Sequence, residues 1–190
     1  MKLYKFSVSS FTIPVILLLF SCSSDDQPVP VNEEEVITTM AINLVPQPGG
    51  TTISLETRDL DADGPNPPVV SVSGAFEANT VYSGSIALFN ETVSPAEDLT
   101  GEVAAEGDEH QFFFQGNGTV NITTTYEDQD SNGNPIGLSI TMTTGEPGSG
   151  VLTVVLRHLP DKNAAGVGDG DISNAGGETD ISVAFPVEIQ

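Results

Sequence analysis

The chain has 190 residues, of which 27 are acidic and five basic, for a formal net charge of −22 at neutral pH. A field of that sign repels nucleic acid and anionic lipid headgroups and concentrates cations. The one cysteine, Cys22, excludes an intrachain disulfide, and the lack of tryptophan beside three tyrosines leaves few aromatic platforms of the kind that hold sugars.

Lys2 and Lys5 give the N-terminus a positive start, and residues 11–20 (FTIPVILLLF) follow as an apolar run too short to span a bilayer, which is the pattern of a signal peptide over residues 1–21. Leu19, Phe20, Ser21 and Cys22 resemble the bacterial lipobox, in which a small residue precedes a cysteine that is acylated after cleavage. Cys22 is therefore the expected lipid attachment point, although Phe20 is bulkier than the usual occupant of its place. The next residues, Ser23, Ser24, Asp25 and Asp26, resemble the acidic export signal of Bacteroidota lipoproteins, which directs them to the outer face of the outer membrane. Residues 27–32 (QPVPVN), with two prolines, read as an extended tether, so residues 22–34 form the anchor and its spacer. The expected protein is anchored to the outer membrane and surface-exposed, and does not cross the membrane. Loss of the signal leaves Arg58, Arg157 and Lys162 against 27 acidic residues, a net charge of −24.

Beyond the tether, roughly 155 residues remain, enough to bury a core without disulfides. They alternate with the period of strands. Met40, Ile42 and Leu44 share one parity, as do Ile53 and Leu55, then Tyr82, Gly84, Ile86 and Leu88. The pattern returns in Val120, Ile122 and Thr124, in Leu138, Ile140 and Met142, in Leu152, Val154 and Leu156, and in Ile181, Val183, Phe185 and Val187. Side chains two apart lie on one face of a sheet, so each segment offers an apolar face and a Thr/Ser-rich one. With no long helical periodicity and with turn residues between the segments, the expected fold is all-β: an antiparallel, Ig-like β-sandwich of about eight or nine strands over residues 35–190.

Sliding the chain against itself exposes an internal two-fold repeat. Residues 50–74 align with 118–145, each a Thr-rich strand, an acidic turn ending in Gly, an Asn-Pro step and a second strand. Residues 83–90 then match 149–158, and Glu106, Asp108 and the cluster Phe112, Phe113, Phe114 correspond to Glu178, Asp180 and Phe185. The register of this last match is open by one residue, which flips the inward face. Two similar halves, about 50–115 and 118–190, are expected to pack face to face or to complete one another's sheets, with two small domains as the alternative.

The acidic turns carry the clearest chemical signal. Asp59, Asp61, Asp63 and Gly64 spell DxDxDG, while Asp128, Asp130, Asn132 and Gly133 spell DxDxNG. Oxygens at alternate positions of a tight loop converge, and calcium, wanting about six to eight oxygens, suits such a set. The bidentate Glu of an EF-hand loop is missing, since Val70 and Ser139 hold the twelfth positions. The competing reading is a pair of hairpin turns, which Asp, Asn, Gly and Pro favour for local reasons. Glu106 and His110 form a second candidate, toward a borderline metal such as zinc, which ranks behind calcium. His158 shares parity with Leu152, Val154 and Leu156 and reads as a structural residue at a strand end, with Arg157 on the other face meeting acidic neighbours. A symmetric closure of the sandwich would let the two histidines approach each other.

Catalysis finds no motif. The cysteine is committed to lipid, neither histidine lies in a nucleophile motif, and no Gly-rich phosphate loop opens a helix. So many carboxylates make any glycosidase-like pair uninformative. Tyr126, beside the second acidic loop, is the one candidate for an exposed ring.

The stretches EEVITTMAINL, RDLDADGPNPPVVSVSG, NTVYSGSIALFNETVSPAEDLT, EGDEHQFFFQ and LRHLPDKNAAGVGDGDISNAGGETDISVAF resemble a family of small Flavobacteria-type surface lipoproteins, over most of the chain beyond the signal. Members carry the name "type 1 periplasmic binding fold superfamily protein", and the resemblance implies a companion of a TonB-dependent uptake receptor. The name denotes a two-lobed α/β fold, which conflicts with the lack of βαβ alternation here. The expected function is a non-enzymatic binding or accessory module in outer-membrane nutrient or metal-ion uptake. A structural or adhesive surface module without a small ligand is the alternative.

Overall fold

Alternation of apolar and Thr/Ser side chains makes a strand that is dry on one face only, so such strands become stable by stacking two sheets with the dry faces inward. The computed structural model, which describes residues 35–61 and 64–190, has this arrangement. The signal peptide, Cys22, export signal and tether expected within residues 1–34 lie outside the described residues, as does Asp63. Residues 34–190 form one compact unit.

Among the described residues ten strands occur in chain order: β1 (Thr39–Gln47), β2 (Ile53–Arg58), β3 (Val69–Val72), β4 (Val81–Asn90), β5 (Glu97–Asp98), β6 (His110–Gly118), β7 (Ile122–Tyr126), β8 (Ser139–Thr144), β9 (Gly148–His158) and β10 (Glu178–Ile189). One short helix, α1 (Thr100–Ala105), precedes β6, and two 3-10 turns, Val167–Asp169 and Ile172–Asn174, interrupt the long β9–β10 connection. The larger sheet runs β3-β2-β1-β4-β8-β7, with β5 beside β4, and the smaller runs β10-β9-β6. All named strand pairs are antiparallel. The all-β sandwich expected from the alternation is therefore the fold, with ten strands in place of eight or nine because the two-residue β5 is too short to alternate.

The dry faces meet as the parity dictates. In the larger sheet Ile42 is paired with Leu55 on one side and Ile86 on the other, and in the smaller sheet Phe112 is paired with Leu156. Their side chains share one core with Leu44, Met142, Val154 and Phe185. Gly84 on β4 makes room for its two cross-strand partners in the larger sheet, because a Cβ there would lie 2.6 Å from Ile140 Cγ1 and 2.9 Å from Leu44 Cδ2. The outward-facing Phe113 and Val155 of the smaller sheet are covered by Val167 and Ala175 of the β9–β10 connection.

Residues 50–115 and 118–190 both contribute strands to both sheets. The hairpins β2–β3 and β7–β8 both lie in the larger sheet, and β6 and β10 both flank β9 in the smaller one, while the equivalent long strands β4 and β9 are central in different sheets. After β4 the chain crosses from the larger sheet to the smaller through β5 and α1, whose Val103 is fully buried. This crossing delivers the start of β6 to one end of the smaller sheet.

Candidate metal centre

Period-two parity sends His110 and His158 into the sandwich, because each continues the inward row of its strand. His110 precedes Phe112 and Phe114 on β6; His158 follows Leu152, Val154 and Leu156 on β9. The ladder pairs the two histidines directly. Their rings stack with centroids 4.7 Å apart and planes inclined by 14°, and neither side chain is more than 2 % exposed.

Asp180 joins them through an irregularity in β10. Thr179 pairs with Arg157 and Ile181 with Leu156, so Asp180 is an extra residue with no place in the ladder. A bulge of this kind re-aims a side chain that regular alternation would send the other way. The carboxylate of Asp180 is thereby buried, with Oδ2 3.8 Å from His110 Nε2 and Oδ1 3.7 Å from His158 Nδ1. Gly177, with φ of 68°, lies just before β10, and a Cβ on it would sit 2.2 Å from the carbonyl oxygen of His158.

Glu35, in the segment leading into β1, supplies the fourth side chain. Its Oε1 lies 3.2 Å from His110 Nε2, and its Oε2 is buried with no hydrogen-bond partner. His110 Nε2 likewise makes no hydrogen bond, while Nδ1 lies 3.1 Å from the backbone carbonyl oxygen of Glu106. A carbonyl can only accept, so Nδ1 donates to it, and Nε2 is the ring nitrogen turned into the cluster. This is the outer contact that fixes a ligating imidazole. The turn after α1 builds it: Glu106 N–H donates to Glu102 O and Glu109 N–H to Glu106 O, which brings the Glu106 carbonyl over the ring. His158 Nε2 faces the half-exposed Glu109 Oε2 at 3.6 Å, leaving Nδ1 toward Asp180.

Glu35, His110, His158 and Asp180 each offer one ligand atom within 4.8 Å of the others. Tetrahedral ligands held at zinc's usual bond lengths of ~2.0–2.1 Å stand roughly 3.3 Å apart; Glu35–His110, His110–Asp180 and His158–Asp180 are spaced 3.2–3.8 Å, and all four atoms lie within 4.8 Å of one another. Bound to one divalent cation, two imidazole ligands and two carboxylates make a set with no net charge.

The sequence candidates fall in three places. His110 belongs to the cluster. Glu106 contributes its backbone carbonyl and keeps its side chain exposed. In the first acidic loop, Asp61 Oδ2 accepts from Asn66 Nδ2 at 2.6 Å and from Asn66 N–H at 3.3 Å, and these bonds lower its pKa. Asp59 N–H donates to Thr38 O, and the neighbouring Arg58 forks onto Glu91.

In the second loop, Asp128 accepts the N–H groups of Gly137 and Ser139 at 2.7 and 2.9 Å. Asp130 Oδ1 accepts those of Asn132 and Asn134, so Asn132 enters through its backbone. The buried ammonium of Lys162 then stands where a bound cation would, donating to Asp130 Oδ2 at 3.1 Å, to the Pro135 carbonyl at 2.9 Å and to the Gly107 carbonyl. Burial alone would raise the Asp130 pKa, but the Asn134 amide, Lys162 and the Asn132 amide together pull it below the ordinary carboxylate value. For Lys162 burial outweighs the carboxylates and lowers its pKa. The bonds from Asn66 to Asp61 and from Asn132 and Asn134 to Asp130 are local turn contacts, whereas Lys162 reaches Asp130 from outside the loop.

Two smaller expectations change. Tyr126 is half-buried and its hydroxyl donates to the Phe112 carbonyl at 2.7 Å, so it is a brace between β7 and β6. Arg157 Nη1 donates to the Thr179 hydroxyl at 2.7 Å, across the ladder, where acidic partners were expected.

No protein-family model, curated protein or solved structure matches the chain. The class is accordingly defined by the fold and the cluster alone: a two-sheet β-sandwich with a buried two-histidine, two-carboxylate group at one end of its smaller sheet. No helix among the described residues is long and apolar enough to cross a membrane.

Proposed function

We propose that this protein is an outer-membrane lipoprotein, held at the cell surface through acylated Cys22, whose sandwich binds one divalent ion of the zinc class as an accessory module in metal-ion uptake. The observation that carries this reading is the convergence of Glu35, His110, His158 and Asp180, with Glu35 Oε2 and His110 Nε2 buried and lacking hydrogen bonds. Imidazole nitrogens favour zinc over calcium, which prefers an all-oxygen shell. The surrounding negative field draws cations toward the site. Four protein ligands fill a tetrahedral shell, which suits holding an ion better than catalysis on it. A TonB-dependent receptor is the partner that the lipoprotein resemblance supplies.

Calorimetric titration of residues 23–190, which contain both sheets and their whole shared core, tests the reading. Zinc chloride should give one binding event per chain that His110→Ala abolishes, and calcium chloride should give none at this cluster. Zinc heat that persists unchanged in His110→Ala rejects the site. The adhesive alternative draws on Val69, 69 % exposed on the edge strand β3, and on the Thr-rich β7. It becomes the better account where no ion binds.

A further inference from the structure

We infer that Glu35 is a detachable closing ligand: the other three side chains form a standing half-site, and ion binding clasps the lead-in segment of β1 onto the end of the smaller sheet. The inference rests on the metal-binding reading above. Its ground is the unequal way the four residues are held. His110, His158 and Asp180 come from β6, β9 and β10, neighbouring strands of one sheet, so their backbone positions are fixed whether or not an ion is bound. Glu35 lies in no strand, and its segment leads into the other sheet.

Hydrogen bonding of that segment to neighbouring strands stops at Thr38, and beyond it only Ile37 packs, half-buried, against the core. Thr38 N–H and hydroxyl both donate to Phe89 O at 3.0 Å, its hydroxyl accepts Glu91 N–H at 2.8 Å, and its carbonyl accepts Asp59 N–H at 2.7 Å. Toward the N-terminus, Ile37 N–H returns to the Glu35 carbonyl within the same short segment at 2.9 Å, and Val36 is 47 % exposed. The Glu35 carboxylate reaches from there across to His110, and its Oε2 is buried without a hydrogen-bond partner. A buried carboxylate oxygen left in that condition is costly, and an ion in the half-site removes the cost. Glu35 is also the most exposed of the four, at 7 % against 0–2 %, so it stands between the half-site and solvent. The ion therefore enters past Glu35, which then closes over it and ties the two sheets together where the chain has no disulfide to do so.

Two readouts on residues 23–190 test the clasp. In the wild-type protein, zinc should slow hydrogen exchange at the Val36 and Ile37 amides. In Glu35→Ala the ion should still bind, but its release to an excess of chelator should be about tenfold faster or more, with exchange at those amides no longer responding to zinc. Glu35→Gln, which keeps one weak oxygen ligand, should fall between. Equal release rates in wild type and Glu35→Ala, with exchange unaffected by zinc, overturn the clasp and leave a three-residue site standing. Failure of zinc to bind the wild-type protein overturns both the clasp and the metal-binding reading.

Discussion

His110 and His158 are direct cross-strand partners in the β6–β9 ladder, and their rings stack 4.7 Å apart inside the sandwich. Two imidazoles so placed are a liability as a pair of cations and an asset as a pair of neutral ligands. The carboxylates of Glu35 and Asp180 complete a set of four ligand atoms around them, and a divalent ion would bind the pair in the second form.

Saturating zinc should accordingly stabilise the fold. At a free concentration about 100 times the dissociation constant, linkage gives about 2.7 kcal/mol, or roughly 5–10 °C in Tm for a chain of this size. A chelator should reverse the gain. His110→Ala should show no zinc-dependent rise, whereas Glu106→Gln should keep it, because Glu106 acts through its carbonyl and not its carboxylate.

Lys162 should prove structural. Replacing it with methionine removes the cation from Asp130 and from the Gly107 and Pro135 carbonyls, leaving a buried carboxylate uncompensated. The expected loss is on the order of 3–5 kcal/mol in denaturant unfolding. The double variant Lys162→Met with Asp130→Asn should lose less than Lys162→Met alone. An equal or larger loss in the double variant would mean that the two side chains are not coupled.

Acid sensitivity should run through Asp130. Its pKa in the folded protein lies below the unfolded value, so its contribution is present above the ordinary carboxylate range and disappears as pH falls through the folded value. Burial makes the Lys162 proton easier to lose, but that loss belongs to alkaline solution, so Asp130 shares the acid limb with the other carboxylates held below the ordinary value, Asp61, Glu91, Asp98 and Asp171. Unfolding free energies followed downward from about pH 5 should fall less steeply in Asp130→Asn than in the wild-type protein.

The strand pattern was legible because burial on one face imposes a period of two, and each expected strand from Met40 to Val187 lies in or against an observed one. The inward parity of His158 was legible for the same reason, whereas that of His110 hung on a register the pattern leaves open by one residue. Asp180 was not: the alternation of Ile181, Val183 and Phe185 assigns it to the outer face, and the bulge that turns it inward leaves no mark in the hydrophobic pattern. Glu35 was hidden differently, since its role depends on a contact between a segment before the first strand and the sixth strand. The acidic loops drew attention because turn residues and calcium ligands are the same residue types. Nothing local showed that a lysine 32 positions beyond Asp130 places its ammonium against it.

Membrane attachment should depend on Cys22. Labelling growing cells with a fatty-acid analogue should tag the wild-type protein, and Cys22→Ser should abolish the tag and release the protein from the membrane fraction. Equal labelling of both forms would place the anchor elsewhere.

The most direct measurement is anomalous diffraction at the zinc edge from crystals of residues 23–190 grown with zinc. The account predicts one strong peak bounded by Glu35, His110, His158 and Asp180, with metal–nitrogen distances of about 2.0–2.1 Å. A fully occupied ion elsewhere, with none between the stacked histidines, would contradict it.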